Sequence, residues 1–79
     1  MFRNPSEYTK ENIEEIMNIP LSIEIGKYNS EVITETIEGE IVNCTLAVNP
    51  PFLPASLKVI TRNGEKILSI MEIKRFRNI

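Results

Sequence analysis

Residues 32–48 constrain the fold most, because they are rich in β-branched side chains and their hydrophobic alternation changes phase. The two apolar sets are Ile33, Ile37 and Ile41 in one parity, and Val42, Cys44, Leu46 and Val48 in the other. A straight strand cannot bury both sets on one face. We therefore expect one strand over about residues 31–48 with a bulge and bend near Gly39. A tight turn at Glu38-Gly39 is the alternative, but it would pair charged residues with apolar ones.

A helix is predicted over about residues 5–18. Asn4 is a candidate N-cap with Pro5 at the first helical position, and Thr9 is a second, later cap candidate. The apolar stripe consists of Ile13, Ile16 and Met17. Pro20 ends the pattern. Because so short a helix is marginal alone, its apolar side must lie on the rest of the chain.

Four more strands are predicted, over about residues 20–26, 56–62, 65–71 and 73–79. The first follows from the alternation of Leu21, Ile23 and Ile25 with polar residues and a proline. After Met71 the apolar residues recur at every third position. That spacing predicts a 3₁₀-like step before the last strand.

Asn63-Gly64 is the preferred residue pair of a type I′ turn, and it lies between two alternating segments. The pair predicts a hairpin of the strands at residues 56–62 and 65–71. We expect Arg62 opposite Glu65, which places Ile60 opposite Ile67.

Residues 49–56 contain three prolines and are predicted to form a loop, because proline removes amide donors and holds the backbone extended. Phe52 and Leu53 lie within it. We expect them to plug one end of the core. The alternative is an exposed apolar knob that contacts a partner.

Several kinds of catalytic chemistry are excluded by composition, since the chain has no His, Asp, Gln or Trp and its eleven acidic residues are all Glu. A Ser-His-Asp triad, a His-ligated metal site and an Asp-based Mg²⁺ site therefore cannot be assembled within one chain. Cys44 is the single cysteine, so it has no disulfide partner in the chain, and its parity suggests a small core residue. We expect no catalytic residue, no metal and no cofactor, and the chain is not predicted to be an enzyme.

The length of 79 residues, with 42% hydrophobic and 25% charged residues, predicts one small domain spanning residues 1–79. The sequence shows no run of apolar residues long enough for a signal peptide or a membrane span. With one cysteine and no such segment, we expect a cytoplasmic protein without a membrane partner.

The formal charge is −2 overall, but the two parts of the chain differ in sign. Residues 1–49 hold three Lys and Arg against nine Glu, a net −6, whereas residues 50–79 hold six against two, a net +4. One interpretation is a mixed surface on which these charges screen one another. The other is a basic patch for single-stranded nucleic acid, in which cations follow phosphates and a ring stacks on a base. Its candidate residues are Lys58, Arg62, Lys66, Lys74, Arg75, Phe76 and Arg77.

Our leading hypothesis is a non-catalytic binding module that acts through contacts with a protein partner, as a regulator, inhibitor or assembly subunit. The candidate contact residues are Glu31, Glu35, Glu38, Glu40, Phe52 and Leu53. The carboxylates would face a basic groove of the partner. The many Ile and Asn residues suit an accessory gene of an AT-rich phage or mobile element.

A short helix followed by five strongly bent antiparallel strands resembles the small β-barrels of the Sm-like and SH3-like kind, and the YolD-like proteins of low-GC Gram-positive bacteria and their phages. The resemblance spans about residues 5–79 and is carried by element order, by Glu38-Gly39-Glu40-Ile41 and by the closing segment at residues 73–79. It implies a mainly β (α+β) fold that closes into a small barrel. It also implies the alternative function, an oligomeric single-stranded RNA- or DNA-binding protein whose copies pair through edge strands. The Asp and the Arg-Gly pair of Sm proteins are missing, so no RNA-site residue is carried over.

Overall fold

The computed structural model describes residues 7–79, which form one five-stranded antiparallel sheet and one short helix. The elements are α1 (Lys10–Glu15), β1 (Leu21–Ile25), β2 (Glu35–Leu46), β3 (Pro54–Thr61), β4 (Gly64–Ser69), a 3₁₀ turn (Ile70–Glu72) and β5 (Ile73–Asn78). Across the sheet the strand order is β4-β3-β2-β1-β5. In this part of the chain no helix is long and apolar enough to cross a membrane.

The helix is shorter than predicted. Thr9 is its N-cap, as one of the two candidates proposed, and its hydroxyl accepts a hydrogen bond from the Asn12 N–H at 3.1 Å. The other candidate start, at residues 4–5, lies outside the described residues. The helix ends early because Asn18 adopts a left-handed φ of 64° and donates its N–H to the Ile41 carbonyl at 2.9 Å, which turns the chain into β1.

The phase change in β2 is produced by a bulge, as predicted, but the bulge lies at Val42 and not at Gly39. The pairing of β2 with β3 shifts between Ile41 and Asn43, so Val42 has no partner on β3 and its side chain is partly exposed. The amide of Cys44 donates to the Asn43 side-chain oxygen at 2.9 Å beside the bulge. Odd positions face the core before the bulge and even positions after it. The strand is also shorter than expected, since Ile33 and Val48 lie outside it.

Gly39 has a different role from the one expected. A Cβ at this position would collide with the Ile60 carbonyl oxygen and lie 2.8 Å from a methyl carbon of Val59. The missing side chain therefore lets β3 lie close against β2.

The predicted hairpin is present, but its register was wrong by two residues. Thr61 pairs with Gly64, and the turn residues are Arg62 and Asn63. The Thr61 hydroxyl accepts from the Asn63 N–H at 3.1 Å and donates to the Gly64 carbonyl at 2.8 Å, which fixes the turn at this position. Within residues 61–64 only Gly64 adopts a positive φ, of 110°, whereas a type I′ turn requires a positive φ at both central residues.

This register places Leu57 opposite Leu68 on the core face, and it leaves two isoleucines on the outer face, each opposite a charged residue. Ile60 lies opposite Glu65, and Ile67 lies opposite Lys58. Both isoleucines are therefore exposed.

The core lies between the inner face of the sheet and the short helix. Its residues are Tyr8, Ile13, Ile16, Leu21, Ile23, Ile25, Ile37, Ile41, Leu57, Val59, Leu68, Ile73 and Phe76, with Met17, Cys44 and Ile70 packed against them. The alternation predicted for β1 is confirmed, since Leu21, Ile23 and Ile25 are all buried.

The sheet is open and does not close into the barrel that was expected. The predicted 3₁₀ step is present, and the Ser69 hydroxyl accepts from the Met71 N–H at 3.3 Å at its start. The Glu72 carbonyl accepts from the Gly26 N–H at 2.8 Å, beyond the end of β1. After this turn the chain enters β5, which pairs with β1. β4 and β5 do not pair with each other, so they are the two edges of the sheet.

Candidate functional site

The connection between β2 and β3 is a compact loop over residues 47–53. The Ala47 N–H donates to the Leu53 carbonyl at 2.8 Å, and the Phe52 N–H donates to the Asn49 carbonyl at 2.9 Å. The Pro50-Pro51 peptide bond is cis, and Phe52 adopts a left-handed φ of 57°. Two backbone hydrogen bonds and two prolines thus hold a loop of only seven residues in a defined shape.

This loop displays its apolar side chains to solvent. Val48 is 88% exposed, Phe52 51% and Leu53 52%, and we call these three side chains the apolar knob. The expectation that Phe52 and Leu53 plug the core was wrong, because both side chains are about half exposed and burial begins only at Pro54, the first residue of β3. Phe52 and Leu53 also form one wall of an open groove of about 380 Å³, and Thr9–Glu11 form the other. The loop therefore offers both a protrusion and an adjacent concave surface.

The four acidic candidates do not form one cluster. Glu38 and Glu40 lie on the outer face of β2, opposite Ser22 of β1 and Ile60 of β3. Glu35 lies at the start of β2, where its carboxylate is 3.4 Å from the Lys66 ammonium. Glu31 lies in the loop before β2 and is exposed. Among residues 7–79 no group of three acidic or thiol side chains is placed to hold a metal ion.

The aromatic residue of the basic candidate patch is not on the surface. The ring of Phe76 is fully buried and meets the ring of Tyr8 edge to face, with centroids 5.5 Å apart and planes at 76°. Its neighbours on β5, Arg75 and Arg77, face the opposite side of the sheet and pair with Glu24 and Ser22 of β1. Phe76 therefore has no face open for stacking on a base.

Most of the basic candidates already contact an acceptor. The closest contacts are Arg77 with Glu24 at 3.5 Å, Lys66 with Glu35 at 3.4 Å, Lys58 with Glu65 at 3.7 Å and the Lys74 ammonium with the Lys27 carbonyl at 2.6 Å. Arg62 is exposed in the hairpin turn, and the Arg75 Nε is buried without a hydrogen-bond partner. Exposed ion pairs of this kind are weak. Nucleic-acid binding through these residues stays a prediction. It can no longer include stacking of a base on Phe76, because that ring is buried.

Two ionisable groups lie near the core. Desolvation by burial, reinforced by the charge of Glu7, raises the pKa of Tyr8 to about 12. Burial is also the main cause that raises the pKa of the Cys44 thiol, to which Glu14 adds and which Lys10 opposes. Both groups are therefore protonated at neutral pH. A thiol is a poor nucleophile compared with a thiolate, so the prediction of Cys44 as a small packing residue is consistent with its position.

Two functional features were missed from the sequence. Val48 was assigned to a strand, although Asn49-Pro50 directly after it indicates a turn. Glu24 was not recognised as the carboxylate that neutralises Arg77, because that contact depends on β1 and β5 being neighbours, 53 residues apart in sequence.

No protein-family model matches this chain, and no curated protein or solved structure matches it either.

Proposed function

We propose that this chain is a non-catalytic protein-binding module that inserts its apolar knob into a pocket of a partner protein, as a regulator, inhibitor or assembly subunit in the cytoplasm. The observation that carries the proposal is that Val48, Phe52 and Leu53 are all exposed on one loop, whose backbone is held by two hydrogen bonds. Apolar side chains exposed singly are ordinary on protein surfaces, whereas three of them within one seven-residue loop favour an interaction site.

The energetics of the knob favour binding. Complete burial of a large apolar side chain contributes about 1.5–3 kcal/mol, and since Phe52 and Leu53 each expose about half of their surface, burial of the rest contributes roughly half of that for each. Binding would order little backbone, because the bonds from Ala47 to Leu53 and from Phe52 to Asn49 already hold the loop. A preorganised loop reduces the entropic cost of association.

The acidic residues would set the choice of partner. Glu38 and Glu40 are exposed side by side on the outer face of β2. Complementary charge steers association and excludes wrong partners more than it adds affinity. Six residues of β2, about 20 Å of strand, lie between Glu40 and the loop, so we expect the partner to carry basic residues at up to that distance from an apolar pocket.

The test compares capture by the wild-type chain, Phe52→Asn and a matched control, Tyr28→Asn. Asn tolerates the left-handed φ of position 52 better than most residues, so the loop shape should be kept. Tyr28 is an exposed aromatic residue, 62% exposed, away from the loop, and receives the same replacement. Each chain is immobilised and incubated with lysate of its source cell, and retained proteins are compared quantitatively.

We expect a protein that the wild type and Tyr28→Asn retain equally, with at least a tenfold loss on Phe52→Asn. Equal retention by all three chains, or no retained protein at moderate salt, contradicts the proposal. Raising the salt concentration should slow association if the carboxylates contribute.

A further inference from the structure

The sheet has two unpaired edges, β4 and β5, and they differ in how well they are protected. An edge strand presents free N–H and C=O groups that can pair with another strand, and natural proteins block such pairing with charged side chains. β5 carries Lys74, Arg75 and Arg77 in six residues, whereas β4 carries one Glu and one Lys. β4 is thus the less protected edge.

Pairing of β5 with a second β5 is opposed by its charges. Along an edge strand, every second residue points its backbone N–H and C=O towards the free edge, and in an antiparallel pair such a residue lies opposite another of the same kind. When the two strands are identical, opposite residues are therefore both even-numbered or both odd-numbered. The central registers allowed by this rule set Lys74 opposite Lys74, Arg75 opposite Arg75 or Arg75 opposite Arg77. Like charges directly opposite one another are destabilising.

β4 has the opposite character. It contains no proline, and Ile67 near its middle is 63% exposed on the outer face. Its two charges are already paired within the chain, Glu65 with Lys58 and Lys66 with Glu35. The strand therefore offers a neutral edge with an unburied isoleucine.

From this asymmetry we infer that β4 is a self-association edge, on which a second copy of this chain pairs antiparallel through its own β4. The two sheets join into one continuous sheet around a two-fold axis. On the outer face Ile67 lies next to Ile67 of the second copy, so this exposed isoleucine becomes partly covered, whereas Ile60 on β3 keeps its exposure.

The register follows from the same parity rule. Setting Lys66 opposite Lys66, or Glu65 opposite Glu65, brings like charges together. Setting Leu68 opposite Leu68 moves the pairing into the 3₁₀ turn. The remaining central register sets Ile67 opposite itself, Lys66 opposite Leu68, and Glu65 opposite Ser69.

Pairing of β4 with β5 of another copy is the competing arrangement. It would place Ile67 beside the outward-facing Arg75 or Arg77, so the exposed isoleucine would gain no apolar neighbour. Such a head-to-tail contact also leaves one edge free at each end unless a ring closes. The two arrangements therefore differ in size, since only the β4–β4 contact stops at two copies.

A disulfide test reads the register directly. In a Cys44→Ser background, Ile67→Cys sets two thiols opposite one another, with Cα atoms about 4.5–5.5 Å apart, within the range of a disulfide. The control is Ile60→Cys in the same background. Residue 60 lies on the same outer face, but three strand spacings, about 14 Å, and an offset of four residues along the strand, about 13 Å, would separate it from its copy, roughly 20 Å in all.

Under mild oxidation at micromolar to millimolar protein, we expect Ile67→Cys to form a covalent dimer at least ten times faster than Ile60→Cys. Equal rates, or no dimer from Ile67→Cys, overturn the inference. Sedimentation of the wild type should show a concentration-dependent dimer and nothing larger. A strict monomer, trimers or a ladder of higher species also overturn it.

Ile67→Lys supplies the reverse test, because an added cation on β4 copies the protection of β5. We expect it to be monomeric with an unchanged thermal melt, while Ile60→Lys still dimerises. Residue 67 is exposed on an edge strand, so the substitution should not disturb the monomer fold. Dimerisation of Ile67→Lys equal to that of the wild type contradicts the inference.

Discussion

Two phenylalanines in the described residues occupy opposite environments. Phe76 has no exposed surface, whereas Phe52 is 51% exposed. Phe76 sits between two arginines in sequence and Phe52 between a proline and a leucine, so sequence neighbours alone would place them the other way round. Their positions follow from backbone pairing instead: Phe76 alternates inward on β5 opposite Ile23, and Phe52 lies in a loop whose hydrogen bonds turn its side chain out.

This difference separates stability from binding. The residues around Phe76 hold β5 and the segment before α1 together, because Tyr8 meets its ring and also donates a 3.4 Å hydrogen bond to the Ile73 carbonyl. Residues 47–53, around Phe52, are all exposed. We therefore expect substitutions at the first position to act on folding and those at the second to act on association.

Phe76→Ala should have the largest effect. Removal of a fully buried aromatic ring leaves a cavity and typically costs about 3–5 kcal/mol, a large part of the stability of so small a domain. Urea unfolding followed by circular dichroism measures the change. A loss below about 1 kcal/mol would show that Phe76 is less tightly packed than its burial indicates.

The stability of the chain at alkaline pH tests Tyr8, whose ring contacts that of Phe76. The pKa of Tyr8 is about 12 in the folded chain and near 10 in the unfolded chain, so the folded state holds this proton more tightly. The stabilisation is complete below pH 10 and is lost as the pH rises towards 12. Each unit of pKa difference corresponds to about 1.4 kcal/mol, so the loss should be roughly 2–3 kcal/mol.

The control for this titration is Tyr8→Phe, which keeps the edge-to-face contact and removes the ionisable group. At neutral pH we expect a cost of no more than about 1 kcal/mol, because the lost hydrogen bond is long. Between pH 10 and 12 the stability of the wild type should fall more steeply than that of the variant. Parallel curves would show that Tyr8 does not carry the effect.

The sequence predicted the order of the elements because hydrophobic period is a local property. The alternation of β1, the helix stripe at Ile13 and Ile16, the hairpin and the 3₁₀ step are all in the structure. The bulge in β2 was expected from the phase change, but its position at Val42 was not. A glycine is the usual signal of such a kink, whereas here Gly39 serves the close approach of β3 and the Asn43 side chain supports the bulge.

What failed depends on hydrogen bonds and strand pairing that the hydrophobic pattern does not reveal. The hairpin register is fixed by the Thr61 hydroxyl, a hydrogen-bonding group that apolar pairing does not reveal. Closure into a barrel requires β4 to pair with the free edge of β5, and this pairing is absent between the described strands, so both remain edges of an open sheet. At the candidate site, the proline loop was found from composition, but the outward direction of Phe52 depends on the backbone bonds that close it.

The smallest expected effect on stability belongs to Phe52→Asn, and it sharpens the comparison with Phe76 most. The side chain of Phe52 is half exposed, so little buried area is lost, and Asn accepts the φ of 57°. We expect the free energy of unfolding to stay within about 0.5 kcal/mol of the wild type, as for most surface substitutions. The same urea titration used for Phe76→Ala measures this change.

A loss above about 2 kcal/mol would mean that the ring of Phe52 supports the loop against Leu46 or α1. The separation between an aromatic residue needed for folding and one needed for binding would then no longer hold. A stable chain that has lost its partner in the capture experiment is the combination that assigns Phe52 to association alone.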